Sequence, residues 1–422
     1  MTRLPREGRN KTRLIPALGS AGAMHFHDQL ARHAIGRASS FCMAEKKRHL
    51  RVCIEGGTPI ECKSWLGDES LDCREQAPGD LGIRMETAAR EAFEEGAEKV
   101  IIIGTDCPSI DEVALAAAEQ ALDSNDLVYI PALDGGYVLI GMSKLVPKVF
   151  RDIPWGGDEV LEKSLAAASS IGAKVQLLSP LPDVDLPEDL PAAKEALKQG
   201  STVSVIIPTY REETGIVALL KNVAKSSPHE IIVSDGNSPD STVSLATAAG
   251  ATVITSAKGR AAQMNAGACA ATGEFLLFLH ADTIPPADFP EIIARTLRKP
   301  NTPGGAFSFR LSGDFSASAL IEGLVSLRCK FAQKPYGDQG IFIRRSLFQA
   351  LGGFPEIPVM EDLDLIRKLS KHGTICIAKE PALTSPRRWE QGGLVRTFLR
   401  HQIMLAAHSL HLPASWIAKM RH

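Results

Sequence analysis

Along most of this chain, short apolar runs alternate with segments of helical period. Val100–Ile103, Val203–Pro208, Glu230–Asp235 and Phe275–Leu279 are short and rich in Val, Ile, Leu and Phe, the pattern of strands covered on both faces. Ala88–Ala97, Asp111–Leu122, Gly215–Lys225 and Pro290–Leu297 carry apolar residues at helical spacing. Strands alternating with helices predict an α/β protein with largely parallel sheets. At Pro191–Gly200 the text turns polar and helix-favouring, ends in Gly, and is followed at once by the strand that starts at Val203. That change places a boundary there. The expected division is residues 1–193, a linker at 194–200, a second domain at 201–390 and a tail at 391–422.

Composition narrows the class. The 422 residues leave room for two or three domains at ~100–200 residues each. With 44% apolar and 23% charged residues, the chain reads as folded and globular. Its 47 basic and 49 acidic side chains leave a net charge of −2, so no global positive field exists to hold a nucleic acid. No apolar stretch approaches the ~20 residues that cross a bilayer, and the opening residues MTRLPREGRNKTR have no apolar core of the kind export needs. A cytoplasmic location is the expectation. The eight cysteines contain no C-x-x-C pair and read as plain reduced thiols.

The two halves share an echo. Val100-Ile-Ile-Ile-Gly-Thr-Asp106 and Phe275-Leu-Leu-Phe-Leu-His-Ala-Asp282 are each a buried strand running out to an aspartate. Ligands of open α/β sheets bind beyond the carboxyl ends of strands, so Asp106 and Asp282 are candidates to face a site. An aspartate capping the next helix is the competing reading. In the second half, Val203–Glu212 and Glu230–Asp240 are strands that open into polar loops. Asp235 at the tip of the second has a carboxylate able to accept two hydrogen bonds from a ribose or a base edge, and Gly236 lets a backbone come close. Lys258-Gly-Arg-Ala-Ala-Gln-Met-Asn-Ala-Gly267 enters a helix with the cations Lys258 and Arg260 at its start, which suits a diphosphate. A divalent cation, Mg²⁺ or Mn²⁺, would bridge Asp282 to that diphosphate. In Glu361-Asp362 a carboxylate is available to take a proton from an attacking hydroxyl, although an acidic first helical turn uses the same residues.

These motifs, in this order from Val203 to Trp389, resemble a family 2 glycosyltransferase of the GT-A fold. The text is similar to a subgroup named for arsenosugar biosynthesis, also described as diaponeurosporenoate glycosyltransferases. The shared blocks are Gly259–Asn265, Phe278–Thr283, Gly305–Phe307, Pro335–Gln339, Gly352–Pro355, Glu361-Asp362 and Ser385–Trp389. The resemblance implies that Pro208, Tyr210, Glu212, Asp235, Lys258, Arg260 and Asn265 bind a nucleotide diphosphate sugar and that Asp282 holds the metal. It implies Asp362, paired with Glu361, as the general base of an inverting transfer, and Asp338, Gln339, Arg388 and Trp389 on the acceptor side. The family's usual D-x-D is His280-Ala-Asp282 here, one carboxylate short. Ser385 stands where processive synthases carry Gln ahead of Arg-Trp, which favours single transfers to a small-molecule or lipid acceptor.

The first half, with Lys11-Thr-Arg-Leu14, Gly79–Met85, Asp106, Asp134-Gly-Gly-Tyr137, Trp155–Asp158 and Asp183–Leu190, resembles the companion arsenosugar-associated family, itself similar to guanylyltransferases. That implies two tandem nucleotide-diphospho-sugar-transferase-like domains of Rossmann type. It also implies a nucleotidyltransferase activity as the alternative function, with Lys11, Arg13 and Asp134 on the nucleotide and Asp106 and Asp185 sharing a metal. Folds of this kind open on a buried strand, yet Thr2–Asn10 is polar, so a first strand encoded upstream of Met1 is expected. The tail from Arg387 is basic, with Leu394, Val395, Phe398, Leu399, Ile403 and Met404 near helical spacing. It reads either as a helix on an anionic membrane surface, at the inner face, or as a terminal helix packed on its own domain.

Overall fold

The computed structural model describes residues 1–199, 201–313, 318–332, 335–386 and a few positions between 400 and 417. The chain divides into two compact units, residues 1–200 with 298–300, and residues 201–297 with 301–422. The expected linker is not irregular: 194–199 completes the helix Leu190–Gln199. Pro191 sits in the first turn, where its missing N–H costs nothing, and Leu190, Ala193 and Leu197 are buried along one face.

The first unit has seven described strands: β1 (Thr2–Arg3), β2 (Arg51–Glu55), β3 (Asp72–Glu75), β4 (Val100–Ile103), β5 (Leu127–Pro131), β6 (Tyr137–Met142) and β7 (Val175–Leu177). A parallel sheet runs β1-β2-β3, and a second sheet runs β4-β6-β5-β7. In the latter β6 is antiparallel to both β4 and β5. Leu127, Tyr129, Ile140 and Met142 fill one core and Val128, Ile130 and Leu139 another, as alternation along the two strands requires. The segment Thr2–Asn10, expected to be too polar for a strand, does supply one. Thr2 and Arg3 pair in parallel with Ile54 and Glu55. The Thr2 hydroxyl, buried, reaches Thr105 Oγ1 at 3.2 Å. A two-residue strand needs mainly its backbone groups, and here the one buried hydroxyl is satisfied. Helices begin where the text offers caps: Asp80 accepts the N–H of Ile83, and Asp111 that of Ala114, each cap contributing about 1 kcal/mol.

The second unit is built on an eight-stranded sheet. Its strands are β8 (Val203–Thr209), β9 (Glu230–Asp235), β10 (Thr252–Thr255), β11 (Phe275–Phe278), β12 (Thr283–Ile284), β13 (Gly304–Leu311), β14 (Ile341–Arg344) and β15 (Cys376–Thr384). The order is β10-β9-β8-β11-β14-β13-β15-β12. From β10 to β11 all neighbours are parallel. β14 then runs antiparallel to β11 and β13, and β12 antiparallel to β15. The chain winds outward from β8 through β9 to β10, then returns to place β11 on the other side of β8. That reversal is a topological switch point, and it opens a crevice beyond the carboxyl ends of β8 and β11. Behind it, Val205, Ile207, Leu219, Phe275, Leu277, Phe289, Ile293, Phe307 and Phe342 form one continuous core.

Candidate active site

The crevice of the second unit is lined by the loops after β8, β9 and β11. Asp235, at the tip of β9, is fully buried. Its carboxylate accepts from the Thr209 hydroxyl at 3.0 Å and from the N–H and hydroxyl of Ser238, each at 2.7 Å. Three donors from its own loops leave little free acceptor capacity for a nucleoside, so Asp235 first shapes the pocket wall. The loops are tied again where Arg211 N–H donates to Ser238 Oγ and Glu212 N–H to Thr242 Oγ1, both at 2.9 Å. Pro208 is part of β8, opposite Ser234. The Tyr210 ring lies under the Lys258 ammonium, 3.7 Å from its centroid. A cation–π contact of that kind holds a lysine without neutralising it.

The helix Arg260–Ala270 starts at Gly259, whose φ of 146° suits glycine. Gln263, one turn in, is buried and donates from Nε2 to the carbonyls of Thr209 at 2.7 Å and Ser234 at 2.9 Å. It clamps the ends of β8 and β9 together, a role the sequence reading missed. The available signal was the spacing of Gln263 and Gly267, which share the helix face that meets β8. An added Cβ at Gly267 would stand 2.4 Å from Ile206. Asn265, expected at the donor, does something else. Its Nδ2 donates to the Phe354 carbonyl and its Oδ1 accepts the Phe354 N–H, both at 2.9 Å. Both ends of the amide are occupied by one backbone residue, so Asn265 is a structural clamp on the Gly352–Pro355 turn.

Beyond β11 the remaining groups converge. Gly337 N–H donates to Asp362 Oδ2 at 2.8 Å, and Asp362 Oδ1 accepts the N–H of Leu363 at 2.8 Å. Asp362, in the first turn of its helix, Glu361–Leu369, thus holds the Pro335–Gln339 loop. His280 lies against the same loop: a Cβ at Gly337 would fall 2.5 Å from His280 Nε2 and 3.5 Å from Asp362 Oδ2. Only glycine lets these side chains approach so closely. Met360, just before the pair, is held at φ 68°. A bulky residue in that region is strained, and such strain collects at functional sites. Glu361 is buried and lies 3.9 Å from Arg260 Nη1, joining the acidic pair to the helix start. Glu361 is thus buried beside a cation, while Asp362 is half-buried. Asp282 is exposed and accepts a long hydrogen bond from the Thr283 hydroxyl at 3.4 Å. An open carboxylate of this kind is chemically suited to Mg²⁺ or Mn²⁺, which take one or two carboxylates and complete their shell with phosphate and water oxygens.

Gln339, expected on the acceptor side, has its side chain engaged inside the unit. It is fully buried, donates to the Phe307 carbonyl at 3.0 Å and accepts from Arg328 at 3.0 Å and Tyr336 N–H at 3.2 Å. The carbonyl of its neighbour Asp338 accepts from the Thr384 hydroxyl at 2.7 Å. Arg388 and Trp389 lie outside the described residues, as do Leu394, Val395, Phe398 and Leu399. Of the tail, Met404, Ala407 and Ile417 pack on Val359, and His408 Nε2 meets Asp364 Oδ1 at 2.7 Å. These residues of the tail pack on their own unit, while Ile403, Leu410 and Trp416 are exposed. Among the described residues no helix is long and apolar enough to cross a membrane.

In the first unit Lys11 takes the place expected for a metal. Its Nζ is 3.1 Å from Asp106 Oδ1 and 3.1 Å from Asp185 Oδ1, and it also donates to the Val184 carbonyl. Arg13 reaches Asp185 Oδ2 at 3.2 Å. A buried ammonium between Asp106 and Asp185 does not fit a cation shared by those two. Asp185 instead groups with Asp134 and Asp183, whose oxygens lie within 4.8 Å of one another. Burial, then the charge of Asp134, pushes the Asp183 carboxyl up to about 6.

Residues 204–343 match the family described as Glycosyl transferase family 2. The second unit carries a family 2 glycosyltransferase domain. Residues 40–157 match a family described as uncharacterized protein conserved in bacteria, DUF2064. No curated protein matches the chain. Among solved structures, a putative nucleotide-diphospho-sugar transferase from Desulfovibrio desulfuricans G20 is similar at 25% identity, covering 47% of this chain and 95% of that one, with a TM-score of 0.41. TarS of S. aureus is similar at 20% identity over 45% of this chain and 62% of that one, under two thirds of its length, with a TM-score of 0.36. Glucosyl-3-phosphoglycerate synthase from Mycobacterium tuberculosis, solved with Mn²⁺, uridine diphosphate and glucosyl-3-phosphoglycerate, is similar at 20% identity over 53% and 84% of the two chains, with a TM-score of 0.40. The glycosyltransferase domain has the mixed α/β, mainly parallel architecture expected of GT-A enzymes, and its switch-point crevice coincides with the matched segment.

Proposed function

We propose that the glycosyltransferase domain moves a sugar from a nucleotide diphosphate sugar to the hydroxyl of a small-molecule or lipid acceptor, one sugar at a time and with inversion. The observation that carries this reading is the meeting of His280, Gly337 and Asp362 beside the carboxyl end of β11. In this reading Asp362 takes the proton of the acceptor hydroxyl as that oxygen attacks the anomeric carbon. Lys258 and Arg260, at the start of the helix Arg260–Ala270, stabilise the leaving diphosphate. Asp282 would hold a divalent cation that neutralises further charge on that diphosphate. Assignment to an arsenosugar or carotenoid pathway belongs to this proposal and rests on the resemblance of motifs.

A second reading concerns the first unit, where Lys11, Arg13 and the three carboxylates Asp134, Asp183 and Asp185 stand together. That arrangement suits a nucleotide triphosphate with its cation, and hence nucleotidyl transfer. Products separate the two readings. Nucleotide sugars and nucleotide triphosphates are supplied with Mg²⁺ or Mn²⁺ to the wild type, Asp282→Ala and Asp106→Ala. Release of nucleoside diphosphate that falls on the order of 10²-fold in Asp282→Ala and persists in Asp106→Ala supports sugar transfer by the second unit. Pyrophosphate release lost in Asp106→Ala alone would replace it with the second reading.

A further inference from the structure

The first unit holds two thiols that neither reading uses. Cys62 lies on the helix Pro59–Leu66 and Cys73 on β3. Their sulfurs are 2.9 Å apart, and the residues are 0% and 6% exposed. Both backbones are fixed. The helix starts on a capping box of Thr58 and Glu61 and ends on Gly67 in the left-handed region, and the Lys63 ammonium donates to the Glu69 carbonyl at 2.9 Å. β3 is locked to β2 with Cys73 opposite Val52. Cys53, one position further along β2, therefore faces the other side of the sheet. A disulfide bond is 2.03–2.05 Å long, so the two sulfurs have about 0.9 Å left to travel, a distance that small side-chain rotations supply.

We propose that Cys62 and Cys73 are a site of reversible oxidation, closing to an intramolecular disulfide with a hydroperoxide as the oxidant. With hydrogen peroxide the thiolate of one cysteine attacks the O–O bond, becoming a sulfenic acid and releasing hydroxide. The second thiol attacks that sulfur, the S–S bond forms, and the sulfenic oxygen leaves as water. Two thiols and one peroxide give one disulfide and two waters. The pair is suited to both steps. The contact with the Cys62 sulfur holds the Cys73 thiol below its ordinary range, which favours the attacking thiolate. The partner sulfur is already in contact, so the sulfenic acid is captured before further oxidation. The crosslink would join the helix to the sheet across Trp65, Leu66 and Leu71, of which Leu66 and Leu71 are buried.

The test uses the full-length reduced protein, exposed to hydrogen peroxide, then unfolded and alkylated. The expected result is a mass ~2 Da below that of the reduced chain before alkylation, two alkylation sites fewer of the eight, and a single crosslinked peptide joining Cys62 to Cys73, with dithiothreitol restoring both sites. Cys53→Ser keeps this product, while Cys62→Ser and Cys73→Ser abolish it. Full alkylation of both residues after peroxide, a crosslink to Cys53, or sulfinic acid at either position would overturn the proposal. The wild-type peptide map decides the matter even if a serine variant fails to fold.

Discussion

Asp106 and Asp282 follow an apolar strand with nearly the same text, the first after the half-buried β4 and the second after the buried β11, and the two units treat them in opposite ways. In the first unit the Lys11 ammonium, 7% exposed, stands 3.1 Å from Asp106 and 3.1 Å from Asp185. In the second, Asp282 is exposed and its hydrogen bond with Thr283 is 3.4 Å long. One carboxylate has its cation supplied by the chain, and the other is exposed to solvent. A strand that ends on an aspartate is thus a property of the α/β architecture, and its chemistry depends on what distant segments place beside it.

The contrast can be broken most sharply at Asp362. Asp362→Asn keeps an acceptor for the Gly337 N–H but removes the base, so kcat for sugar transfer should fall ~10²–10⁴-fold with an unchanged unfolding midpoint. A surviving rate would leave the second unit without its base and remove the reason to treat its open carboxylates as catalytic. Next, Lys11→Met leaves Asp106 and Asp185 without their ammonium. Mn²⁺ binding by the full chain, followed by paramagnetic relaxation, should strengthen about tenfold as the cation takes the vacated place. Unchanged binding would mean that Lys11 does not stand in for a metal. Asn265→Ala should cost about 1–3 kcal/mol in denaturant unfolding, because two backbone groups of Phe354 lose their partner. A raised KM for the donor with full stability would return Asn265 to the nucleotide site.

The smallest effect concerns Asp183. Its carboxyl is raised to about 6 by burial and by Asp134. Between the ordinary carboxylate value near ~4 and that raised value the folded chain binds more protons than the unfolded one, so stability from this group falls as pH rises through the window. Asp183→Asn should therefore raise the Tm near pH ~7.5 and leave it little changed near pH ~4, read from thermal unfolding at both values. An equal shift at both would place the origin in packing and not in charge.

Much of the architecture was legible because it is written locally. The strands at Val203, Glu230 and Phe275 and the helices at Asp111, Gly215 and Pro290 appear within a residue or two of their apolar patterns. β1 was not legible, since Thr2 and Arg3 become a strand through pairing with Ile54 and Glu55 rather than through apolar content. The site was legible as a set of motifs but not as a set of roles. Asn265 and Gln339 sit in the very blocks that mark the family, yet the Asn265 amide is taken up by the Phe354 backbone and the Gln339 amide by the Phe307 carbonyl, the Tyr336 N–H and the Arg328 side chain. Gln263, between Arg260 and Asn265 in the same block, turned out to clamp the ends of β8 and β9.

By itself the sequence determined where strands and helices form, where one unit gives way to the next, and which carboxylates and cations are present, because periodicity, caps and breakers act over a few residues. Only the tertiary structure decided which of those charges meet. Lys11 and Asp185 are 174 residues apart and share a hydrogen bond, and Gly337 and Asp362, 25 apart, meet beside His280. Such pairings depend on strand order and loop closure, and electrostatic and hydrogen-bonding roles at these distances follow from geometry that no local pattern encodes.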